Sequence, residues 1–242
     1  MRNSAYHFIS MMTLASLLLM SVAHSDTSAL SHDTWGQLLK SHVSPEGKVN
    51  YEGFTRDRAK LDEYLNQLAA HSFASHTSSN AEMAFWINTY NAYTVKLILD
   101  HYPLASITDL DKPWDIAFVK AAGKTYTLNQ IENEILRQKF KEPRIHFAVN
   151  CASKSCPPLL NEAYSADRLE DQLDRQTIAF VNNSQYNQIR TDQAHISELF
   201  KWYRKDFTQN GTLIEFLNQY AKAKLSPDAS LEYLPYDWRL NN

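Results

Sequence analysis

The stretch from Asn80 to His101 constrains this chain more than any other. Phe85, Trp86, Ile87, Tyr90, Tyr93, Val95, Leu97, Ile98 and Leu99 fall on nearly every side of a helical wheel, and a helix that is apolar all round must be covered all round. Pro103 disfavours helical geometry at Tyr102 and ends the element. Ser79 and Glu82 stand three apart and offer a capping box at its start. The spacing predicts a central helix over about 80–101, buried by whatever else the chain builds. Asn88 and Asn91 share one of its faces. Buried amides need partners, so the pair either ties loop backbone to the helix or orients a substrate or a catalytic group.

The remaining elements read as mostly helical. Thr127 with Gln130 opens a helix over about 128–140, stopped by Pro143; Ser165 caps one reaching about 182; Ser197 precedes a run from Glu198 to Phe207; and Thr212 with Glu215 opens one ending near Lys224. In Arg144 to Asn150 apolar residues alternate with others, a period-2 pattern that predicts a buried strand. Lys124–Tyr126, Tyr186–Arg190 and Leu231–Leu234 are further strand candidates. The fold class expected is α+β, helix-rich, with helices packed on a small β-sheet. Residues 26–242 read as one globular domain, with His71–Asn80 a loop inside it.

Residues 1–25 carry Arg2, an apolar stretch from Phe8 to Met20 and the small-residue pattern Ala23-His24-Ser25. That is the form of a cleavable secretory signal, and it places the protein in the periplasm or outside the cell. No later run is long and apolar enough to predict membrane insertion. The five glycines are too scattered for a phosphate-cradling loop. With 24 basic and 27 acidic residues there is no electrostatic footprint for nucleic acid. No cofactor is expected.

The constellation able to do chemistry is His146-x4-Cys151-x4-Cys156-Pro157-Pro158. Three readings compete. Cys151 and Cys156 form a disulfide, which an oxidising compartment favours and which would stabilise the fold by roughly 2 kcal/mol. Alternatively one thiol is a nucleophile with His146 as general base. On an extended strand Cys151 lies roughly 16 Å along the chain from His146, out of reach, whereas Cys156 can return after a turn; Pro157 and Pro158 would suit the first turn of a helix that favours a Cys156 thiolate. Cys156 is therefore expected to be the reactive sulfur. The third reading, a zinc ion held by His146 and both cysteines, lacks a fourth ligand and a diagnostic spacing. Trp114-Asp115, Asp237-Trp238 and the cluster Trp202, Tyr203 and Asp206 read as core or as pocket wall. Asp115, and more weakly Asp237, are the candidate carboxylates.

Ala84-Phe85-Trp86-Ile87-Asn88-Thr89-Tyr90-Asn91, Thr127-Leu128 with Ile131-Glu132 and Ile135-Leu136-Arg137, Arg144 to Cys151 with Ser155-Cys156-Pro157, and the closing Tyr236-Asp237-Trp238-Arg239-Leu240-Asn241 together resemble the domain-of-unknown-function-547 family. Asn133 departs from the pattern, standing where the family often carries a His. The family has no established reaction, so the resemblance implies a fold neighbourhood and motif positions. Plant members fused behind coiled-coil segments imply reducing compartments and argue against an obligatory disulfide. A helix packed on a small sheet with Cys and His in reach suggests, by analogy of fold, papain-like or transglutaminase-like thiol enzymes. Two functions follow as expectations. One is an exported thiol-dependent hydrolase or acyl-transferase acting on an amide or peptide, with Cys156 as nucleophile, His146 as base and Asn88, Asn91 or Asp115 orienting. The other is a non-catalytic module stapled by Cys151 and Cys156 that binds a peptide or an envelope protein.

Overall fold

Every residue from Met83 to Val95 is buried, as an all-round apolar helix requires. The computed structural model describes residues 30–242; the expected signal segment lies outside the described residues. The central helix is α4, Ser79–His101. Its cap is Ser78, whose hydroxyl accepts from the Ala81 N–H at 3.2 Å, one residue earlier than expected. Glu82 does not reach back to close a capping box. It is drawn instead to the Lys139 ammonium, 2.5 and 2.6 Å from its two oxygens.

Around α4 lie α1 (Asp33–His42), α2 (Tyr51–Arg56) and α3 (Arg58–Ala70). Strands β1 (Val119–Ala121) and β2 (Lys124–Tyr126) form an antiparallel hairpin, with Ala121 opposite Lys124. The two loop residues, Ala122 and Gly123, both have positive φ, the conformation that matches strand twist in a two-residue hairpin. Their N–H groups donate to Leu68 and Ala69 at the end of α3. The expected helix after Thr127 is present with its reciprocal Thr127–Gln130 bonds, both 3.0 Å. From Gln130 to Phe140 it is wound as a π-helix, a geometry that is rare and frequent at functional sites.

The expected strand over Arg144–Asn150 is not formed. Pro143–Phe147 is a 3₁₀ helix. Pro143 supplies a helical φ at its first position, and the Glu142 carboxylate accepts from the Arg144 N–H at 2.9 Å while pairing with its guanidinium. The alternation that imitates a strand has another cause: Ile145 enters one hydrophobic core and Phe147 a second. The second core is closed by α5 (Leu169–Val181), α6 (Leu199–Trp202), α7 (Arg204–Phe207) and α8 (Leu213–Tyr220). Helix α5 begins four residues after Ser165, whose hydroxyl accepts from Arg168 Nε at 3.3 Å and whose N–H donates to the buried Gln172 side chain. The run after Ser197 is broken at Tyr203, and α8 keeps its Thr212–Glu215 capping box but ends at Tyr220.

A second sheet, β3 (Gln188–Ile189), β4 (Gln193–Ser197) and β5 (Ser230–Leu234), has order β3-β4-β5, antiparallel then parallel. The α+β, helix-rich class stands, with two small sheets where one was expected. Strands β1 and β4 carry no strong sequence signal.

Asn88 and Asn91 are 0% and 2% exposed, and both bond backbone in two directions. Asn88 donates to the Tyr164 carbonyl at 2.8 Å and accepts the Tyr164 N–H at 3.0 Å. Asn91 donates to the Ala148 carbonyl at 2.9 Å and accepts the Asn150 N–H at 2.8 Å. Asn91→Ala leaves two buried backbone groups without partners and should destabilise the fold by about 3 kcal/mol, read as a lowered urea midpoint; an unchanged midpoint would contradict this role.

Candidate functional site

Asn91 pins the start of a loop, residues 148–157, whose own polar groups complete the anchorage. Asn150 donates to the Pro157 carbonyl at 2.8 Å and accepts from the Ala152 N–H at 2.9 Å, and Ala152 takes a left-handed conformation with φ 61°. The loop therefore turns back on itself, bringing the Cys156 sulfur 2.9 Å from the Cys151 N–H. The C-terminal residues lie along it. Lys154 and Ser155 donate to the Arg239 and Asp237 carbonyls, and the Asp237 N–H donates to the Ser155 hydroxyl at 2.8 Å. That strap carries Tyr236 and Trp238 into the site.

Both cysteines are free. Cys151 is half-buried, its sulfur 3.2 Å from the hydroxyls of both Ser153 and Tyr236. A hydrogen bond from the Cys156 thiol pulls the Cys151 thiol below its ordinary value; burial opposes this, and the Ser153 and Tyr236 hydroxyls add to it. Cys156 is 5% exposed, and burial, then its place beside Cys151, pushes its thiol well up. The two sulfurs are thus polarised in opposite senses. Cys151 is the readier thiolate.

His146, in the 3₁₀ helix, is 1% exposed at the seam between the two cores. Its Nε2 is 2.7 Å from Asp206 Oδ2, and its ring stacks on Tyr203 with centroids 3.8 Å apart. Arg137 donates to both Asp206 oxygens, at 2.6 and 3.1 Å, and to Asn133 at 2.6 Å. Burial opposes ionisation of Asp206, but the bonds from His146 and Arg137 outweigh it and hold the carboxyl well below the usual range. An ionised Asp206 accepts, so His146 donates to it from Nε2. His146 Nδ1 is buried and has no partner.

A cavity of about 240 Å³ joins these groups. His146, Cys151, Cys156 and Tyr236 border it together with Tyr90, Glu132 and Tyr203, and Trp114, Trp202 and Trp238 form its aromatic side. Glu132 is buried and accepts from the Tyr90 and Tyr203 hydroxyls. Among the expected site residues, the fold brings His146, Cys151 and Cys156 together. Asn91 acts one step behind them through the loop backbone. Asn88 holds Tyr164 instead, and Asp115 is exposed outside the cavity, accepting from Asn129 at 2.5 Å. Asp237 pairs with Arg239, whose hydrogen bond lowers its carboxyl to about 2.

Two premises that favoured Cys156 do not hold. The 3₁₀ winding replaces the extended path thought to carry Cys151 out of reach. No helix begins at Pro157. The carboxylate that meets His146 is Asp206, sixty residues away, which the sequence marks only as a neighbour of Trp202 and Tyr203. Glu132, Tyr203 and Tyr236 carry no local signal for their roles. Among the described residues no three His, Cys, Asp or Glu side chains gather as metal ligands would, and no helix is long and apolar enough to cross a membrane.

The Asp206 shift has a consequence in acid. In the unfolded chain an aspartate ionises near about pH 4, and in the fold Asp206 does so well below that. Its stabilisation is complete above about pH 4 and is lost as the pH falls toward the folded-state value. Asp206→Asn should therefore flatten the loss of stability below about pH 4, measured by urea unfolding at a series of pH values. A variant curve parallel to the parent's would contradict the ion-pair arrangement.

No curated protein and no solved structure matches the chain. A match does come from one family model, over a segment from just before α4, through the hairpin, the π-helix and the thiol loop, to the end of α5. Residues 74–181 match the family described as "Protein of unknown function, DUF547", while Tyr203, Asp206 and Tyr236 of the site lie beyond the matched segment.

Proposed function

We propose that the protein is a thiol-dependent hydrolase or acyl-transferase acting on an amide or peptide, with Cys151 as the attacking sulfur and His146 as the base. The whole chain is read as an exported member of the matched family, export resting on the signal-like residues 1–25. The observation that carries the reading is the His146 ring, held by Asp206 at Nε2 with its Nδ1 unpartnered, in a residue that borders one cavity together with both thiols. A base oriented by a carboxylate, on the same cavity as a thiol of lowered pKa, supplies the groups nucleophilic catalysis needs.

In this reading His146 Nδ1 takes the Cys151 proton, and the sulfur bonds to the substrate carbonyl carbon. The carbon–nitrogen bond then breaks, with the proton passing from His146 to the departing amine. Water, or a second amine, attacks the thioester and releases Cys151. Tyr236, within 3.2 Å of the sulfur, is a hydroxyl donor for the oxyanion. Asn91 is a positioning residue, since it acts on the loop and not on the reacting atoms.

A second reading is favoured by the return of the Cys156 sulfur to the Cys151 N–H. With the two thiols joined, the chain would be a binding module and the aromatic cavity its peptide or envelope-protein site. Thiol counting separates the two. For the enzyme, iodoacetamide should modify native protein at Cys151 and spare Cys156 until denaturation. His146→Ala should slow the Cys151 reaction, and turnover of any amide substrate, by roughly a hundredfold. No adduct until a reductant is added would establish the bridged module instead, and first modification at Cys156 would refute the assignment of the nucleophile.

A further inference from the structure

Glu132 is 6% exposed on the border of the cavity, and its hydrogen bonds come from phenols: Tyr90 to Oε2 at 3.0 Å and Tyr203 to Oε1. Burial, and then the Glu132 charge, hold both phenols well above their ordinary values. They remain neutral donors and cancel no charge. The cavity's basic neighbours are engaged elsewhere, with Arg137 on Asp206 and Asn133 and His146 on Asp206. Among the described residues Glu132 has no ion-pair partner. Arg137 and His146 both turn to Asp206, which leaves Glu132 hydrogen-bonded by phenols alone. A buried carboxylate without a counter-ion is costly.

The other side of the same cavity is aromatic. Trp238 meets Trp114 edge to face and lies parallel to Trp202, each pair with centroids 5.8 Å apart. Trp202 is 46% exposed, an indole left open to solvent at the border of the cavity. Indole faces attract cations, most strongly where water is excluded. About 240 Å³ corresponds to about eight waters, enough for a short alkyl chain with a charged end.

We propose that this cavity binds a primary alkylammonium group, with Glu132 as its anionic anchor and Trp114, Trp202 and Trp238 as its aromatic wall. Joined to the thiol reading, on which this substrate assignment rests, the inference makes the substrate an amide or peptide bearing a lysine-like side chain. Recognition of the ammonium itself needs no reactive sulfur.

The test is calorimetric titration of the full protein with n-butylamine and with n-butanol near neutral pH, where the amine is protonated. Saturable amine binding at least tenfold tighter than alcohol binding is expected, and Glu132→Gln should remove that preference. Equal affinities, absence of amine binding, or an unchanged preference in Glu132→Gln would overturn the proposal. Should Glu132→Gln fail to fold by circular dichroism, the amine-to-alcohol comparison on the parent still decides, and Trp202→Leu should weaken the amine at least threefold. Iodoacetamide labelling of Cys151 on the parent protein, scored separately, reads the thiol assignment. A failed thiol assignment and a failed ammonium site are therefore distinguishable.

Discussion

The burial of α4 is the constraint on which the rest of the site depends. A helix covered on every side cannot leave an amide unsatisfied without a penalty of about 1–3 kcal/mol for each lost partner, and the amides of Asn88 and Asn91 each find a backbone donor and acceptor in segments far along the chain. Those bonds fix where the Tyr164 segment and the 148–157 loop must run. The thiol loop is thus positioned by a helix whose residues from Met83 to Val95 are all buried. Asn150 extends the anchorage across the loop by donating to the Pro157 carbonyl, and Asn241 donates to the Asn150 Oδ1 at 3.2 Å.

The second determinant is the division of the apolar residues between two cores. Ile145 and Phe147 enter different cores, so His146 between them is placed at the seam. Helices α6 and α7 deliver Tyr203 to its ring face and Asp206 to its Nε2. The π-helix delivers Arg137 to Asp206 and, one turn earlier, Glu132 to the cavity. Asn133 bonds the same Arg137 and so supports the His146–Asp206 pair.

Electrostatically the site combines neutral and charged groups around one cavity. Asp206 stays ionised because two donors outweigh its burial. The cysteines diverge because one thiol donates to the other, so the half-buried sulfur gains thiolate character while the buried one loses it. Low dielectric strengthens each of these interactions. It also raises the cost of burying the Glu132 carboxylate, whose hydrogen bonds come from phenols.

Local pattern was enough for α4, for the Thr127–Gln130 and Thr212–Glu215 caps, and for β2, β3 and β5, because caps, breakers and periodicity act within a few residues. The same logic failed at 143–147, where alternation records two cores and not two sheet faces, and at Ser165, whose N–H is claimed by Gln172. Composition and spacing also brought His146, Cys151 and Cys156 forward as candidates. They could not show how the two sulfurs differ, since that difference rests on burial and on Tyr236, 85 residues from Cys151. Nor could they find Asp206 or Glu132, whose partners are long-range contacts. The sequence by itself determined the buried helix and the candidate chemistry, because both are written in residue type and short spacing. The tertiary structure alone decided which groups meet and with what charge, because hydrogen bonding and desolvation depend on neighbours that only the folded chain brings together.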